Sequence, residues 1–229
     1  MRFSGLILAA GAGTRAGGPK ALRPGVLART VALLRESGCR DVIVVLGASA
    51  DAARPLVPAG ARIVVADDWS EGLAASLRAG LRAAAASAPH WDHSVDQIDS
   101  SRPLAASDAL TAENAGPTAE NTDLTAENAG PSDATVVTLV DYPDMPHTVI
   151  ERAIAAAARE RMPRAALVQA VYGGRPGHPV VIGADHRLPI ADTVSGDRGA
   201  KRYLEANGAE RVECGDLWHG RDDDGPPAS

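Results

Sequence analysis

Three short, almost wholly aliphatic runs, residues 3–9, 41–46 and 62–66, alternate with helix-period stretches, and no other feature narrows the fold as far. A strand that faces water on one side alternates polar and apolar residues; FSGLILA and DVIVVL hardly do. Strands buried on both faces need helices above and below them, parallel pairing and right-handed crossovers. The intervening helices are legible too. Residues 27–36 keep helical spacing and stop at Ser37-Gly38, a good C-terminal signal. A short helix is expected over residues 50–56. Residues 72–86 place Leu73, Leu77 and Leu81 on one stripe, with Arg78 and Arg82 displaced from it. Aromatics make up only 3% of the chain, so alanine, valine and leucine must fill the core, which suits helices layered on aliphatic strands.

Residues 87–134 break this pattern. They are acidic, turn-rich and repetitive: LTAENAGP stands at residues 110–117 and again at 124–131, with TAEN between them at 118–121. The unit is shorter than any solenoid module and too poor in apolar residues to bury a face. It is expected to be a disordered insertion in one domain spanning residues 1–224, with 225–229 as a tail. It also distorts the charge. The segment holds nine acidic residues against Arg102 alone, so of the total −6 the rest of the chain carries +2. A faintly basic body suits a small anionic ligand and lacks the basic excess of a nucleic-acid binder.

Order resumes at residues 135–140 (TVVTLV), a buried strand that ends in Asp141-Tyr142-Pro143-Asp144. Pro146 then opens a helix to about residue 161, proline being favourable in a first turn. Strands over residues 165–172 and 179–182, a helix over 198–207 and a strand over 210–214 follow. No apolar run approaches the roughly 20 residues that cross a bilayer. The apolar N-terminal stretch runs directly into glycines and Arg15, unlike a secretion signal. A cytoplasmic protein without membrane contact is expected. Cys39 and Cys214 lie far apart with no CxxC spacing and read as reduced, partly buried thiols.

Two stretches carry chemistry. The first is LAAGAGTRAGGPKAL, residues 8–22. A strand opening into glycines presents backbone N–H groups with no side chains in the way, as close approach to phosphate oxygens requires. Leu8, Ala9, Ala10, Gly11, Ala12 and Gly13 would cradle the ligand, Arg15 would add a planar fork and Lys20 a mobile point charge. Two better-known phosphate loops fail here. A P-loop needs lysine directly after its last glycine and then serine or threonine, but Pro19 intervenes and Ala21 follows. A dinucleotide fingerprint needs GxGxxG and an acid ending the next strand, but Ala16 breaks the first and Leu46-Gly47 the second. The other stretch is Asp141-Tyr142-Pro143-Asp144, where Asp141 at the end of a buried strand can reach a hard cation held by triphosphate oxygens. Asp144 suits a helix cap better.

The loop resembles that of the MobA-like nucleotidyltransferases: LAAG or LAGG, then Ser or Thr, Arg, Met-Gly, a spacer and Lys. Ala16 stands where methionine is usual. The family's D-Q-P or D-M-P, whose aspartate binds magnesium, matches at Asp141. Asp68-Trp69-Ser70-Glu71-Gly72 with Ala75-Ser76-Leu77, the GGRPGHP run ending at Pro179, and Gly196-Asp197-Arg198-Gly199-Ala200 are similar to segments of the branch that includes molybdenum cofactor cytidylyltransferase. There such loops border the acceptor pocket, so Ser76, His178 and Asp197 are candidate acceptor-binding residues. Plainer roles stand beside these: helix-start packing for Ser76 and Trp69, a turn brace for His178, a helix cap for Asp197. Asp222 and Asp224 lie in a degraded form of the family's closing motif, a candidate second metal site or a solvated tail.

The resemblance implies a three-layer α/β/α sandwich with a mostly parallel, Rossmann-like sheet, the nucleotide-diphospho-sugar transferase type. It implies a magnesium-dependent transfer of NMP from a nucleoside triphosphate, CTP being favoured by LAAG, to a phosphorylated acceptor such as molybdopterin. Lys20, Arg15 and Asp141 would be catalytic. Another phosphorylated metabolite as acceptor, or a non-catalytic carrier delivering nucleotide or cofactor to a molybdoenzyme partner, are the alternatives. A nicotinamide oxidoreductase is disfavoured by the missing acid after Leu46.

Overall fold

The computed structural model describes residues 1–14, 17–86, 131–142 and 144–221. The expected parallel core is present: β1 (Phe3–Ala9), β2 (Cys39–Leu46), β3 (Arg62–Val65) and β4 (Ala134–Leu139) pair in parallel, in the order β3-β2-β1-β4. The sheet continues as β6-β5-β7, completing seven strands. β5 (Leu167–Tyr172) and β6 (Arg175–Gly183) form a hairpin, and β7 (Glu210–Glu213) runs parallel to β5. Only β6 runs against the other six, since it pairs antiparallel to both β4 and β5.

The period of two within each strand explains the layering. In β1, Phe3, Ile7 and Ala9 face one buried cluster while Leu6 and Leu8 face another. β2 divides Val42, Val44 and Leu46 from Ile43 and Val45 in the same way. Helices α1 (Val26–Glu36) and α4 (His147–Arg159) seal the first face with Leu27, Val31, Leu34, Ile150 and Ala153. Helices α3 (Leu73–Ala86), α5 (Ala184–Thr193) and α6 (Lys201–Ala206) seal the second with Leu77, Leu81, Ile190 and Leu204. The short α2 (Ala50–Ala53) gives way to a tighter turn over Arg54–Leu56. The fold is the three-layer α/β/α sandwich, mostly parallel, with no helix long and apolar enough to cross a membrane among the described residues.

Several boundaries depart from the sequence reading. Helix α5 falls where no helix was expected. Its segment, ADHRLPIADT, has no helical apolar stripe and carries Pro189 inside. An interior proline costs about 3 kcal/mol; full burial of Ile190 and the hydrogen bonds of Arg187 to Ala84 and Ser132 oppose that. β6 begins at Arg175, four residues before the expected strand, because backbone pairing of Arg175 and Pro176 with β5 overrides the loop-like composition. Pro146 is the N-cap of α4 and so precedes its first turn, with no side-chain cap bond, so Asp144 does not cap it.

Residues 87–130 of the insertion lie outside the described residues, as do Arg15, Asp222 and Asp224. Its last four residues, 131–134, belong to the folded body. The Asp133 amide donates to the Arg2 carbonyl at 2.8 Å, the Arg2 amide donates to Asp133 Oδ2 at 2.7 Å, and Ala134 opens β4. Arg187 lies beneath this junction. Its guanidinium donates to the Ala84 carbonyl at 3.3 Å, the Ser132 carbonyl at 2.9 Å and Ser132 Oγ at 2.7 Å. One side chain thus ties the end of α3 to the start of β4.

Cys39 and Cys214 are free and fully buried, deeper than the sequence reading had them. Burial pushes the Cys39 thiol up to about 12. The thiolate is the reactive form, so at pH 8 Cys39 in the folded protein should react with a disulfide reagent on the order of 10³-fold more slowly than in denaturant. A stopped-flow titration checks this; equal rates would mean the β2 start is open.

Candidate functional site

The glycine loop leaves the carboxyl end of β1, an interior strand that lies beside the central β4. The Val140 amide donates to the Leu8 carbonyl at 3.2 Å and the Ala48 amide to the Ala10 carbonyl at 3.0 Å, so the neighbours of β1 pin the loop's base. Beyond it, the amides of Gly11, Ala12 and Gly13 make no hydrogen bond among the described residues. The loop closes on itself where the Gly18 amide donates to the Gly13 carbonyl at 3.0 Å. Gly13 has φ +62°, and a Cβ there would collide with the Gly18 carbonyl oxygen, so the turn needs glycine.

These residues line one cavity of about 430 Å³, which also takes in Lys20, Ser76, Asp141 and Asp197. Lys20, in the turn Lys20–Leu22, reaches across to Asp141 beyond β4, its Nζ 3.3 Å from Asp141 Oδ2. The lysine side chain is 11% exposed and the carboxylate 29%, so the pair sits at a water-accessible floor. A triphosphate entering here would meet three open amides and an ammonium, and a cation would meet a carboxylate.

The opposite wall comes from the turn before α3. Arg78 donates to Asp68 Oδ2 at 2.7 Å and lies 3.6 Å from Glu71 Oε2, which holds the turn Trp69–Glu71 against the helix. Gly72 follows with φ +108°, and a Cβ on it would strike the Asp197 carboxylate. That close approach brings Asp197 into the cavity. Asp197 does not cap α6, whose N-cap is Ala200 with no side-chain bond. Ser76 is buried on α3 yet lines the cavity.

His178 stands apart from this group. It lines a neighbouring cavity of about 90 Å³ that shares Leu8 and Leu73 with the large one. Its Nδ1 lies 3.3 Å from the Val137 carbonyl and its own carbonyl accepts from the Tyr172 hydroxyl at 2.6 Å. Burial pushes the imidazole below its usual range, only partly offset by the Val137 bond. Gln169, in the same small cavity, was not singled out by sequence reasoning. A lone amide inside the apolar run LVQAVY was the available signal.

Asp141 and Asp197 are the two carboxylates of the large cavity, and no group of three His, Cys, Asp or Glu able to hold a metal occurs among the described residues. Carboxylate oxygens are hard donors, and these two fit a divalent cation held alongside substrate phosphates and water.

Known proteins share this fold and, over most of the chain, its sequence pattern. A relative from Paenarthrobacter nicotinovorans, named nicotine blue oxidoreductase, is 33% identical over 234 residues, covering 96% of this chain and 91% of its own. Rv0371c from Mycobacterium tuberculosis H37Rv superposes with a TM-score of 0.62 at 22% identity, over 93% of this chain and 88% of that one. It has also been solved in complex with manganese, where the TM-score is 0.58 at 21% identity over 93% and 87% of the chains. A nucleotidyl transferase from Methanothermobacter thermautotroptrophicus superposes with a TM-score of 0.59 at 20% identity, over 93% and 87%. The model of the MobA-like NTP transferase domain matches residues 5–212, nearly the whole chain, and this protein belongs to that family.

Proposed function

We propose that this protein is a cytoplasmic nucleotidyltransferase that moves NMP from a nucleoside triphosphate to a phosphorylated acceptor and releases pyrophosphate, with CTP as donor and molybdopterin as acceptor the first pair to test. One observation carries this reading: open amides at Gly11–Gly13, Lys20 and Asp141 converge on one cavity at the carboxyl ends of β1 and β4. The loop amides would hold the phosphates, and Lys20 would exchange Asp141 for a phosphate oxygen. Arg15 and the tail carboxylates Asp222 and Asp224 remain proposed contributors by resemblance. Magnesium, when bound, would neutralise charge on the triphosphate oxygens, with Asp141 its protein ligand. An acceptor phosphate oxygen would attack the α-phosphorus while Asp197 and Ser76 border its approach. The chain's own work is positioning and charge stabilisation.

Calorimetric titration with CTP, GTP and ATP, with and without magnesium, tests the donor. Pyrophosphate release on adding molybdopterin tests the transfer, and binding without release would favour a carrier. Gly13→Ala should weaken nucleotide binding at least about tenfold, because the turn that aims the amides cannot close around a Cβ. Its melting temperature should fall by only a few degrees, the cost of one strained turn outside the two cores. Unchanged nucleotide affinity would remove the loop from the site.

A second reading rests on the 33% identical relative, which is named an oxidoreductase. Under it the same cavity would bind an oxidised organic substrate and a reductant from solution. Oxidation of a reduced nicotinamide dinucleotide by the purified protein with a dye acceptor, in the absence of any triphosphate, would favour it over transfer.

A further inference from the structure

The small cavity beside the large one has a wall of definite polarity. Eight of its lining side chains are aliphatic, among them Leu73 and Leu77 from α3 and Leu8, Val137 and Val180 from the sheet. Gln169 and His178, on the adjacent strands β5 and β6, are its inner polar groups, and Lys201 is exposed at the rim.

The hydrogen bonds of these two side chains fix what they can offer. A carbonyl oxygen only accepts, so the 3.3 Å contact to Val137 makes His178 Nδ1 the protonated nitrogen. Nε2 then carries an open lone pair, and among the described residues it has no partner. Gln169 Nε2 donates to the Gly177 carbonyl at 3.5 Å, which leaves Oε1 as acceptor and one N–H over. The Tyr142 ring, centred 6.1 Å from the imidazole, and the Tyr172 bond to the His178 carbonyl hold the histidine in place. Inside the rim the unpaired acceptors, His178 Nε2 and Gln169 Oε1, outnumber the one remaining Gln169 N–H, and a ligand that brings donors would be recognised there.

We propose that this cavity is a recognition subsite in which His178 Nε2, with Gln169 Oε1 beside it, accepts hydrogen bonds from a small, otherwise apolar end group bearing N–H donors. Its volume of about 90 Å³ is below the roughly 150 Å³ of a cavity that holds benzene, so a five-membered ring is the fitting size of probe. Because the cavity opens beside the large one at Leu8 and Leu73, its occupant would be one end of whatever the large cavity binds. Naming that occupant the acceptor of nucleotidyl transfer rests on the proposed function; the donor preference does not.

The test uses the full chain labelled with 15N-histidine and two ring probes of equal shape. 2-Imidazolidinone has two N–H donors, and cyclopentanone has none. Long-range nitrogen–proton spectra of the free protein should show His178 neutral and protonated at Nδ1. 2-Imidazolidinone should shift the Nε2 resonance and bind about tenfold more tightly than cyclopentanone, the difference expected when a buried acceptor is left unpaired. Gln169→Leu should reduce that preference, and His178→Phe should abolish it; a melting curve checks that each variant folds. Protonation at Nε2, or equal binding of the two probes by the parent protein, would overturn the proposal. Pyrophosphate release is read separately, so a protein that binds the donor probe but transfers nothing would refute the transferase reading alone.

Discussion

Lys20→Ala should turn over on the order of 10²–10³-fold more slowly than the parent protein, the range seen when one charge-stabilising contact is removed. The lysine is 11% exposed and 3.3 Å from Asp141, so it is held over the cavity before any ligand arrives. With nucleotide present its ammonium is the described cation best placed to meet phosphate charge that grows during transfer. The variant should also have an effect of opposite sign. Without the ammonium, Asp141 offers its carboxylate to a divalent cation more readily, so magnesium alone should bind more tightly while nucleotide binds more weakly. Pyrophosphate release and two calorimetric titrations read the three quantities. Turnover near the parent value would refute the role given to Lys20. Asp141→Asn completes the comparison by removing the cation dependence itself.

Arg187→Met should lower the stability of the fold by about 2–4 kcal/mol, the sum expected from leaving buried carbonyls unpaired. In a chain of this size that corresponds to a drop of roughly 10 °C in melting temperature. Arg187 is 2% exposed, and burial pushes its guanidinium down to about 10. Desolvating that charge already weighs against the fold, and its Nε has no hydrogen-bond partner among the described residues, so methionine recovers part of the loss. What it cannot replace are the bonds to Ala84 and Ser132. A chain in which residues 88–130 are shortened to a few glycines and serines should keep the parent's nucleotide binding and melt no lower, since closing a shorter loop costs less entropy. If Arg187→Met melts with the parent, the joint between α3 and β4 is held by something else. If the shortened chain does not fold, the insertion is part of the core, contrary to its sequence.

The parallel half of the fold was legible because its physics is local. FSGLILA, DVIVVL and TVVTLV can only be strands sealed on both faces, and Leu73, Leu77 and Leu81 mark one buried stripe. Helix α5 was not legible. Ile190 and Arg187 are buried by the tertiary arrangement around the Ala84–Ser132 joint, and Pro189 argues locally against any helix. The same divide runs through the site. Lys20 and Asp141 each stand in a recognisable stretch, but their ion pair joins residues 121 positions apart and depends on β4 lying beside β1. Asp197 reaches the cavity only because Gly72 has no side chain, a fact about two loops that no spacing records. Gln169 and His178 become a pair only when β5 and β6 fold into a hairpin.

The single reversed strand has a consequence for how such a protein can diversify. Because β6 runs against its neighbours, its first residues arrive where β1 and β4 finish, and Glu213 fastens the hairpin tip by accepting the Gly173 and Gly174 amides at 2.9 and 3.1 Å. The nucleotide wall and the hairpin wall therefore share a sheet but no loop. A hairpin transplanted from a relative should change the molecule chosen at one side while leaving the loop amides and Lys20 untouched. One chemistry can then be passed among many substrates by exchanging some seventeen residues, 167–183.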